Sequence, residues 1–317
     1  MIRHNPRLFA LCLAVIAAVF GAQFVLAGYP VLALTRILIL AVFAMGYNMA
    51  MGYAGMLSLG HALFFAAGMY AAGMASRYGA VGLPAAFGIG ILGAAAVSLG
   101  IGLLALRTRT VSFMIVTLMF AQVGYLLTLQ FADVTGGDQG LTLSERGFAL
   151  GPVAVDMTSG AARYNVAAVV FSAVLLGLYA LTQGPVGRLF AAVRENPERT
   201  RMLGYDVARI RLAAFVLSGT VAGTSGALYG LTFGFIGSSF AEFRTSIEAL
   251  LYTLVGGPGT LLGPVLGTAL MTVLIDRLGG LTAAYPIVVG ALLIALTLWF
   301  PKGLLGTIRD RWLPWMK

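Results

Sequence analysis

The sequence predicts an all-α polytopic membrane protein, a single membrane-embedded domain over residues 1–317, on three observations. Hydrophobic residues make up 60% of the chain and charged residues 10%, with a mean hydropathy of +0.94. That leaves too little polar surface to cover a soluble globule. The apolar residues fall in runs of the length that crosses a hydrocarbon core of about 30 Å. The net charge of +9 lies in short clusters between those runs rather than on one polar face, which fits a positive-inside bias and not nucleic-acid binding. Cys12 is the single cysteine and lies in an apolar run, which excludes an intramolecular disulfide and a cysteine metal site.

Taken in order, Arg3 and Arg7 precede an apolar run at 8–27. It is longer than a signal-peptide core and leads straight into more apolar sequence, so it reads as a retained first span. Residues 31–51 form a second span that begins near Arg36 and ends at Asn48. The next stretch, Gly52-Tyr53-Ala54-Gly55-Met56-Leu57-Ser58-Leu59-Gly60-His61, is apolar yet crowded with glycine. It reads as a discontinuous element, because glycine lets a helix break where protein or water satisfies the freed backbone groups. Spans follow at 62–76, 81–106 and 111–131, with Arg107 and Arg109 between the last two.

Residues 132–164 form the longest non-membrane stretch before the central loop. Asp133, Asp138, Glu145 and Asp156 stand there against Arg146 and Arg163, and the lack of basic excess places it outside. Residues 166–182 return to a basic loop at about 183–211, and 212–233 leave it. Gly219, Gly223, Gly226, Gly230 and Gly234 line that last span at spacings that allow close helix packing.

The apolar piece at 245–255 is too short to cross alone. It breaks at Gly256-Gly257-Pro258-Gly259 and resumes at 261–275, with Gly263 inside; 286–300 is the last span. Counting the short pieces gives about ten transmembrane or partly broken helices with both termini cytoplasmic. Eight helices plus a re-entrant hairpin at 245–275 sort the charges equally well. On either count Arg3, Arg7, Arg107, Arg109, the basic loop, Lys302, Arg309, Arg311 and Lys317 share one side. Gly52-x-x-Gly55-x-Leu57 and Gly256-x-x-Gly259-x-Leu261 also share a pattern, and paired broken segments in transporters point to the pathway.

The basic loop holds six arginines (188, 194, 199, 201, 209, 211) against Glu195, Glu198 and Asp206. Leu189, Phe190 and Val193, then Met202 and Leu203 past Pro197, predict a short amphipathic helix, a break, and a second short helix whose apolar side packs against something. Pro197 suits a first helical position with Asn196 as its N-cap. Polar groups with a claim on a solute pathway are Asn48, Ser58, His61, Thr117, Gln122 and Glu248. Each has a structural role open to it: helix-to-helix glue for the uncharged ones, a backbone hydrogen bond for His61, and an i,i+4 pair with Arg244 for Glu248. His4 and His61 are the only histidines, too few for a His-rich metal site. No Gly-x-x-x-x-Gly-Lys-Ser/Thr phosphate loop is present, so the chain has no ATP site of that type.

The words GRLFAAVRENPERTRMLGYDVARIRLAAFVLSG, MGYAGMLSLGHALFFAAGMYAA, VTGGDQGL, LVGGPGTLLGPVLG and FPKGLLG strongly resemble the branched-chain amino acid (LIV-type) permeases of ABC importers, the M-type in particular. Glu198-Arg199-Thr200 with Gly204 six residues past the Glu resembles the EAA loop of importer permeases with its two alanines replaced. The resemblance implies a permease, not an enzyme, in the bacterial inner membrane. Its partners would be a second related permease, two cytoplasmic ABC ATPases that bring ATP to the assembly, and a periplasmic binding protein. It further implies an ATPase-coupling loop at Gly187, Arg188, Arg194, Glu195, Asn196, Glu198 and Gly204. An ion-coupled secondary transporter of small polar solutes is the second reading; it would need submerged ionisable groups, and only Glu248 qualifies. An integral-membrane enzyme lacks a cluster of reactive groups, and a passive channel gives no reason for the structured loop.

Overall fold

The computed structural model describes residues 6–26, 28–79, 81–108, 111–143, 147–150, 153–280, 285–300 and 302–311. Arg3, His4, Arg109, Ser144, Glu145, Arg146 and Lys317 lie outside them. Fourteen α-helices follow in order: α1 Pro6–Val25, α2 Tyr29–Asn48, α3 His61–Tyr78, α4 Leu83–Ala105, α5 Val111–Gln130, α6 Ala132–Thr135, α7 Gly160–Gln183, α8 Pro185–Glu195, α9 Pro197–Met202, α10 Val207–Phe233, α11 Phe243–Gly256, α12 Gly263–Gly279, α13 Tyr285–Trp299 and α14 Gly303–Arg311. Among the described residues six segments are long and apolar enough to cross a membrane: α1, α2 with its π-helical extension to Tyr53, α4, α5, α7 and α10. The chain is thus an all-α bundle of membrane-crossing type. The C-terminal helix α14 was not foreseen in the sequence.

The centre of the bundle is α10 with α2, α3 and α4 around it. Their backbones meet because the contact residues are small. A Cβ on Gly68 would fall on the carbonyl of Gly223, one on Gly226 on the carbonyl of Phe65, and one on Gly219 against Ser98 and Phe64. Two serine hydroxyls of α10 reach across to α2: Ser218 Oγ donates to Gly46 O at 2.6 Å and Ser225 Oγ to Ile39 O at 2.6 Å. The order of those contacts makes α2 and α10 antiparallel. Outside this centre, α7 holds α1 through Tyr164 Oη donating to Val19 O at 2.5 Å and through Phe9 on Tyr179. The helices α11 and α12 form a hairpin against α2, where Thr253 Oγ1 donates to Ala44 O and Arg36 pairs with Asp276 at 3.7 Å.

The loops at the two ends differ. At one end α8 and α9 form a basic cap. At the other, the described residues between 132 and 158, with Phe235–Ile236, form two short antiparallel pairings that an all-α expectation omits. The first joins β1 (Leu141–Thr142) to β4 (Phe235–Ile236), with Leu141 opposite Ile236 and Thr142 opposite Phe235. The second joins β2 (Gly147–Leu150) to β3 (Val153–Asp156). Gly136, Gly137 and Gly140, all at positive φ, end the helical run there, so the chain meets its backbone needs by strand pairing. Arg77 Nη1, donating to Thr142 O at 3.0 Å, ties the end of α3 to this region.

The tight centre yields a stability prediction. Gly226→Val sets side-chain carbons against the Phe65 carbonyl and is expected to cost about 1–3 kcal/mol, read as a lower unfolding temperature of the purified protein. Gly100→Ala on α4, where a Cβ meets nothing within 4 Å, leaves that temperature unchanged or raises it.

Candidate functional site

The basic cap is assembled from local signals. Pro185 opens α8, and a Cβ on Gly187 would fall on Thr182, so α8 folds tightly back on the end of α7. Phe190 and Val193 are buried beneath it. Asn196 ends α8 in extended geometry and caps α9, its Oδ1 accepting from Arg199 N at 2.9 Å. Thr200 is buried and clasps the two helices, donating to Ala192 O at 3.1 Å and Asn196 O at 2.9 Å. Gly204 turns the chain at φ 87° with open space around it. Asp206 then caps α10, accepting from Ala208 N and Arg209 N at 3.0 and 3.1 Å. That cap is legible as an Asp just ahead of an apolar helix, yet it was missed.

Arg188, Glu195 and Glu198 are exposed, and Glu198 pairs with Arg201 at 3.6 Å. The first helix packs its apolar side against the bundle, whereas the apolar side of the second meets nothing within this chain: Met202 is 84% and Leu203 71% exposed. Their spacing gives α9 an apolar tip, and its six residues are too few to bring that tip round onto the bundle.

Beneath the cap the two glycine-rich breaks meet. After α2 the chain makes a π-helical turn, Met49–Tyr53, then runs without regular structure to Gly60. After α11 it turns through Gly257, at φ 120°, and Gly259, at φ 75°, before α12. The Asn48 side chain clamps the two, Nδ2 donating to Thr260 O at 2.8 Å and Oδ1 accepting from Gly259 N at 2.9 Å. Gly52 presses so closely on Gly259 N and Asn48 that a Cβ has no room. Arg194 closes the junction from the cap: Nη1 donates to Gly52 O, and a Cβ on Gly55 would lie 2.9 Å from Arg194 Cγ. Gly256 and Gly263 face each other across the second break, and Gly257 rests on Gly306 and Lys302 ahead of and within α14. A cavity of about 410 Å³ lies between this junction and α9, bounded by Met56, Leu57, Phe113, Glu198, Arg201 and Arg211.

The pathway candidates do not gather in one place. Asn48 is committed to the junction. Ser58 is buried and accepts from Gly60 N at 3.2 Å, and a Cβ on Gly60 would lie 2.7 Å from Thr117 O. Thr117 Oγ1 accepts from Leu59 N at 3.2 Å, latching α5 to the first break. His61 is fully buried in an aromatic cage of Tyr47, Phe64 and Phe215. Its Nε2 lies 2.7 Å from Ser218 Oγ. Because that hydroxyl donates its only proton to Gly46 O, Nε2 carries the hydrogen here. Gln122 is exposed on a stripe of α5 with Ile115, Met119 and Leu126. Glu248 stands at the end opposite the cap, 3.7 Å from Arg244. Among the described residues no group of three His, Cys, Asp or Glu gathers as a metal site would require.

Long apolar helices, glycine-broken segments pinned at a junction, and a helical cap locked onto it define a multi-pass membrane transport protein. The chain belongs to the family of branched-chain amino acid transport system permease components, whose family model matches residues 29–298. It is 27% identical to the high-affinity branched-chain amino acid transport system permease protein LivM of Salmonella typhimurium, over 97% of this chain and 76% of that one. The permease protein LivH of the same kind of system in Escherichia coli K12 is 27% identical over 84% of this chain and 91% of its own. The autoinducer 2 import system permease protein LsrC of Enterobacter sp. strain 638 is 35% identical over 31% of this chain and 30% of its own. No solved structure matches. These relatives are transport permeases rather than enzymes, and the chain is a multi-pass inner-membrane protein of their kind.

The junction predicts an asymmetric response at Asn48. Asn48→Ala strands the Gly259 amide and the Thr260 carbonyl and is expected to cost about 2 kcal/mol or more. Asn48→Asp keeps the acceptor for Gly259 N but turns a carboxylate on the Thr260 carbonyl, so it destabilises at least as much. Both are read by thermal unfolding, and a neutral outcome for either removes the clamp.

Proposed function

We propose that this chain is one of two related permease subunits of an ABC importer for branched-chain or related amino acids. Two cytoplasmic ATPase subunits bring ATP, none being bound by this chain, and a periplasmic binding protein delivers the solute. The observation that carries the reading is Arg194, whose stem lies on the cap and whose guanidinium holds Gly52 in the junction. A push on α8 and α9 is thereby delivered to both broken segments at once. The exposed apolar tip of Met202, Leu203 and Tyr205, following Glu198 and Arg199 of the same short helix, suits a docking ATPase, and the 410 Å³ cavity leaves α9 room to move. Alternating access then needs only that ATP and the loaded binding protein favour different states.

The ten-crossing arrangement with both termini cytoplasmic fits this reading better than a re-entrant hairpin. The turn between α11 and α12 reaches Gly52, Lys302 and Gly306 at the capped end, while Arg36 and Asp276 mark the other end of α2 and α12. The cap is the basic end, so it faces the cytoplasm, and residues 132–158 face the periplasm. Thr200 suits a surface label by sequence, but it is buried, and Ser144 lies outside the described residues. Met202→Cys and Ser239→Cys, in a Cys12→Ala background, replace them. They are expected to react with an impermeant maleimide from opposite faces of the membrane; labelling from one face removes this topology.

Coupling is tested on the assembled transporter by ATP hydrolysis with and without loaded binding protein. Arg194→Ala is expected to abolish stimulation while the ATPase subunits still co-purify. Gly204→Leu forces a branched residue to φ 87° at about 1 kcal/mol or more and is expected to blunt stimulation similarly. Glu198→Lys instead lowers ATPase recovery, more at low salt than at high, as an exposed charge does. Full stimulation by both Arg194→Ala and Gly204→Leu overturns the coupling role of the cap.

A further inference from the structure

At the end opposite the cap a second cavity, of about 210 Å³, opens between α2, α3, α10 and α11. Its mouth carries two cations, Arg36 and Arg244, and two anions, Glu242 and Glu248. Its floor is apolar: Leu40 of α2 and the ring of Phe65, against which Tyr229 and Phe240 pack with centroids 6.0 Å away. Tyr229 and Phe240 stack on each other at 4.9 Å. The cavity is smaller than the roughly 300–1,000 Å³ typical of drug-sized ligands, which suits a single amino acid.

The charges are poised for exchange. The ion pairs at the mouth are long, Arg244 to Glu248 at 3.7 Å and Arg36 to Asp276 at 3.7 Å, and part-exposed pairs of this length are weak. A carboxylate arriving at the arginines would gain charge-assisted, bidentate hydrogen bonds. The Glu248 released from Arg244 would meet an ammonium. A lone anion or a lone cation would leave one of these sets opposed, whereas a zwitterion satisfies both, and an apolar side chain covers the floor.

We infer that this cavity is a low-affinity site on the permease for an α-amino acid zwitterion with an apolar side chain, taken up on release from the binding protein. The choice of leucine as probe rests on the import function proposed above. The arginines hold the α-carboxylate, Glu248 with Glu242 holds the α-ammonium, and Leu40 and Phe65 receive the side chain. Phe65 lies in the first turns of α3, close to the first break, so an occupied cavity reaches toward the middle of the bundle.

The test is leucine binding to the full-length chain in nanodiscs, with no binding protein or ATPase present. Leucine is expected to bind saturably. The half-molecules 4-methylpentanoate, which lacks the ammonium, and 3-methylbutylamine, which lacks the carboxylate, are expected to bind at least about tenfold more weakly. Glu248→Gln lowers leucine affinity while leaving that of 4-methylpentanoate equal or higher; Arg244→Gln lowers leucine affinity and spares the amine. A readout independent of those variants is Ser239→Cys in a Cys12→Ala background: Ser239 lines the mouth, so leucine slows its reaction with maleimide and the half-molecules do not. No saturable binding, equal binding of leucine and either half-molecule, or, in a separate labelling run with the binding protein added, protection of Ser239→Cys by that protein and not by leucine overturns the site. The last outcome would make the mouth a docking surface. If leucine fails to bind the chain while the reconstituted complex imports it, the site falls and the importer stands; if the complex imports no amino acid, the importer reading itself falls.

Discussion

A helix that is interrupted while packed against its neighbours leaves backbone groups that must find partners within the protein, and among the described residues the chain is interrupted after Asn48 and after Gly256. Each break is tolerable because the other is there. Asn48 offers an amide with one donor and one acceptor, and it spends them on the Thr260 carbonyl and the Gly259 amide of the second break. Neither segment could hold this shape beside lipid. Other polar groups extend the same solution outward: Ser246 Oγ accepts from Ala62 N at 2.7 Å, serving the start of α3 from α11. Thr117 accepts from Leu59 N and brings in α5. The bundle at the capped end is therefore organised around mutual satisfaction of two interrupted helices, and anything that shifts one shifts the other.

The centre of the bundle works on a different principle. Glycine and alanine on α3, α4 and α10 let backbones approach so closely that no side chain fits between them. Such an interface gains from dispersion over the whole contact and has little freedom to deform. Ser218 and Ser225 fasten α2 to it at 2.6 Å each. The result is a stiff block of four helices with looser elements at its edges: α1 on α7, α5 on the flank, and the hairpin of α11 and α12. The pinned junction lies beside this block, and the coupling role proposed for the cap rests on that adjacency.

Much of this was legible in the sequence, for reasons that differ residue by residue. The two cap helices and the Asn196 cap are local features, set by proline, asparagine and apolar spacing within a few residues. The close-packed glycines of α10 were legible because their period is a property of one helix. The two breaks could be read singly, and their shared pattern hinted at a relation. Their contact could not be read, since Asn48 and Thr260 stand 212 positions apart. The Arg194 contact was equally hidden: the residue is exposed on α8, yet its guanidinium donates to Gly52 O, 142 positions away. At Met202 and Leu203 the spacing shows that the helix has an apolar side but not what that side meets, and within this chain it meets nothing. The strand pairings around Leu141 are two to four residues long, below what alternation can signal.

The placement of the polar groups also bears on where the energy for transport enters. A transporter driven by a coupled ion needs an ionisable group at depth that binds and releases that ion. In this chain three deep polar groups with a claim on a pathway, His61, Ser58 and Asn48, each make a structural hydrogen bond. His61 is enclosed by aromatic rings with its Nε2 hydrogen on Ser218, Ser58 receives the Gly60 amide, and Asn48 closes the junction. The ion pairs Arg36 with Asp276 and Arg244 with Glu248 stand toward the end away from the cap. What connects the interior to the outside is instead the guanidinium of Arg194, a planar donor on a long stem rooted in an exposed helix. Lysine could place a charge there, but it lacks the rigid fork that holds a fixed direction toward a carbonyl. Such a hydrogen bond fixes the position of one segment relative to another, which is the property that the proposed importer reading needs of it.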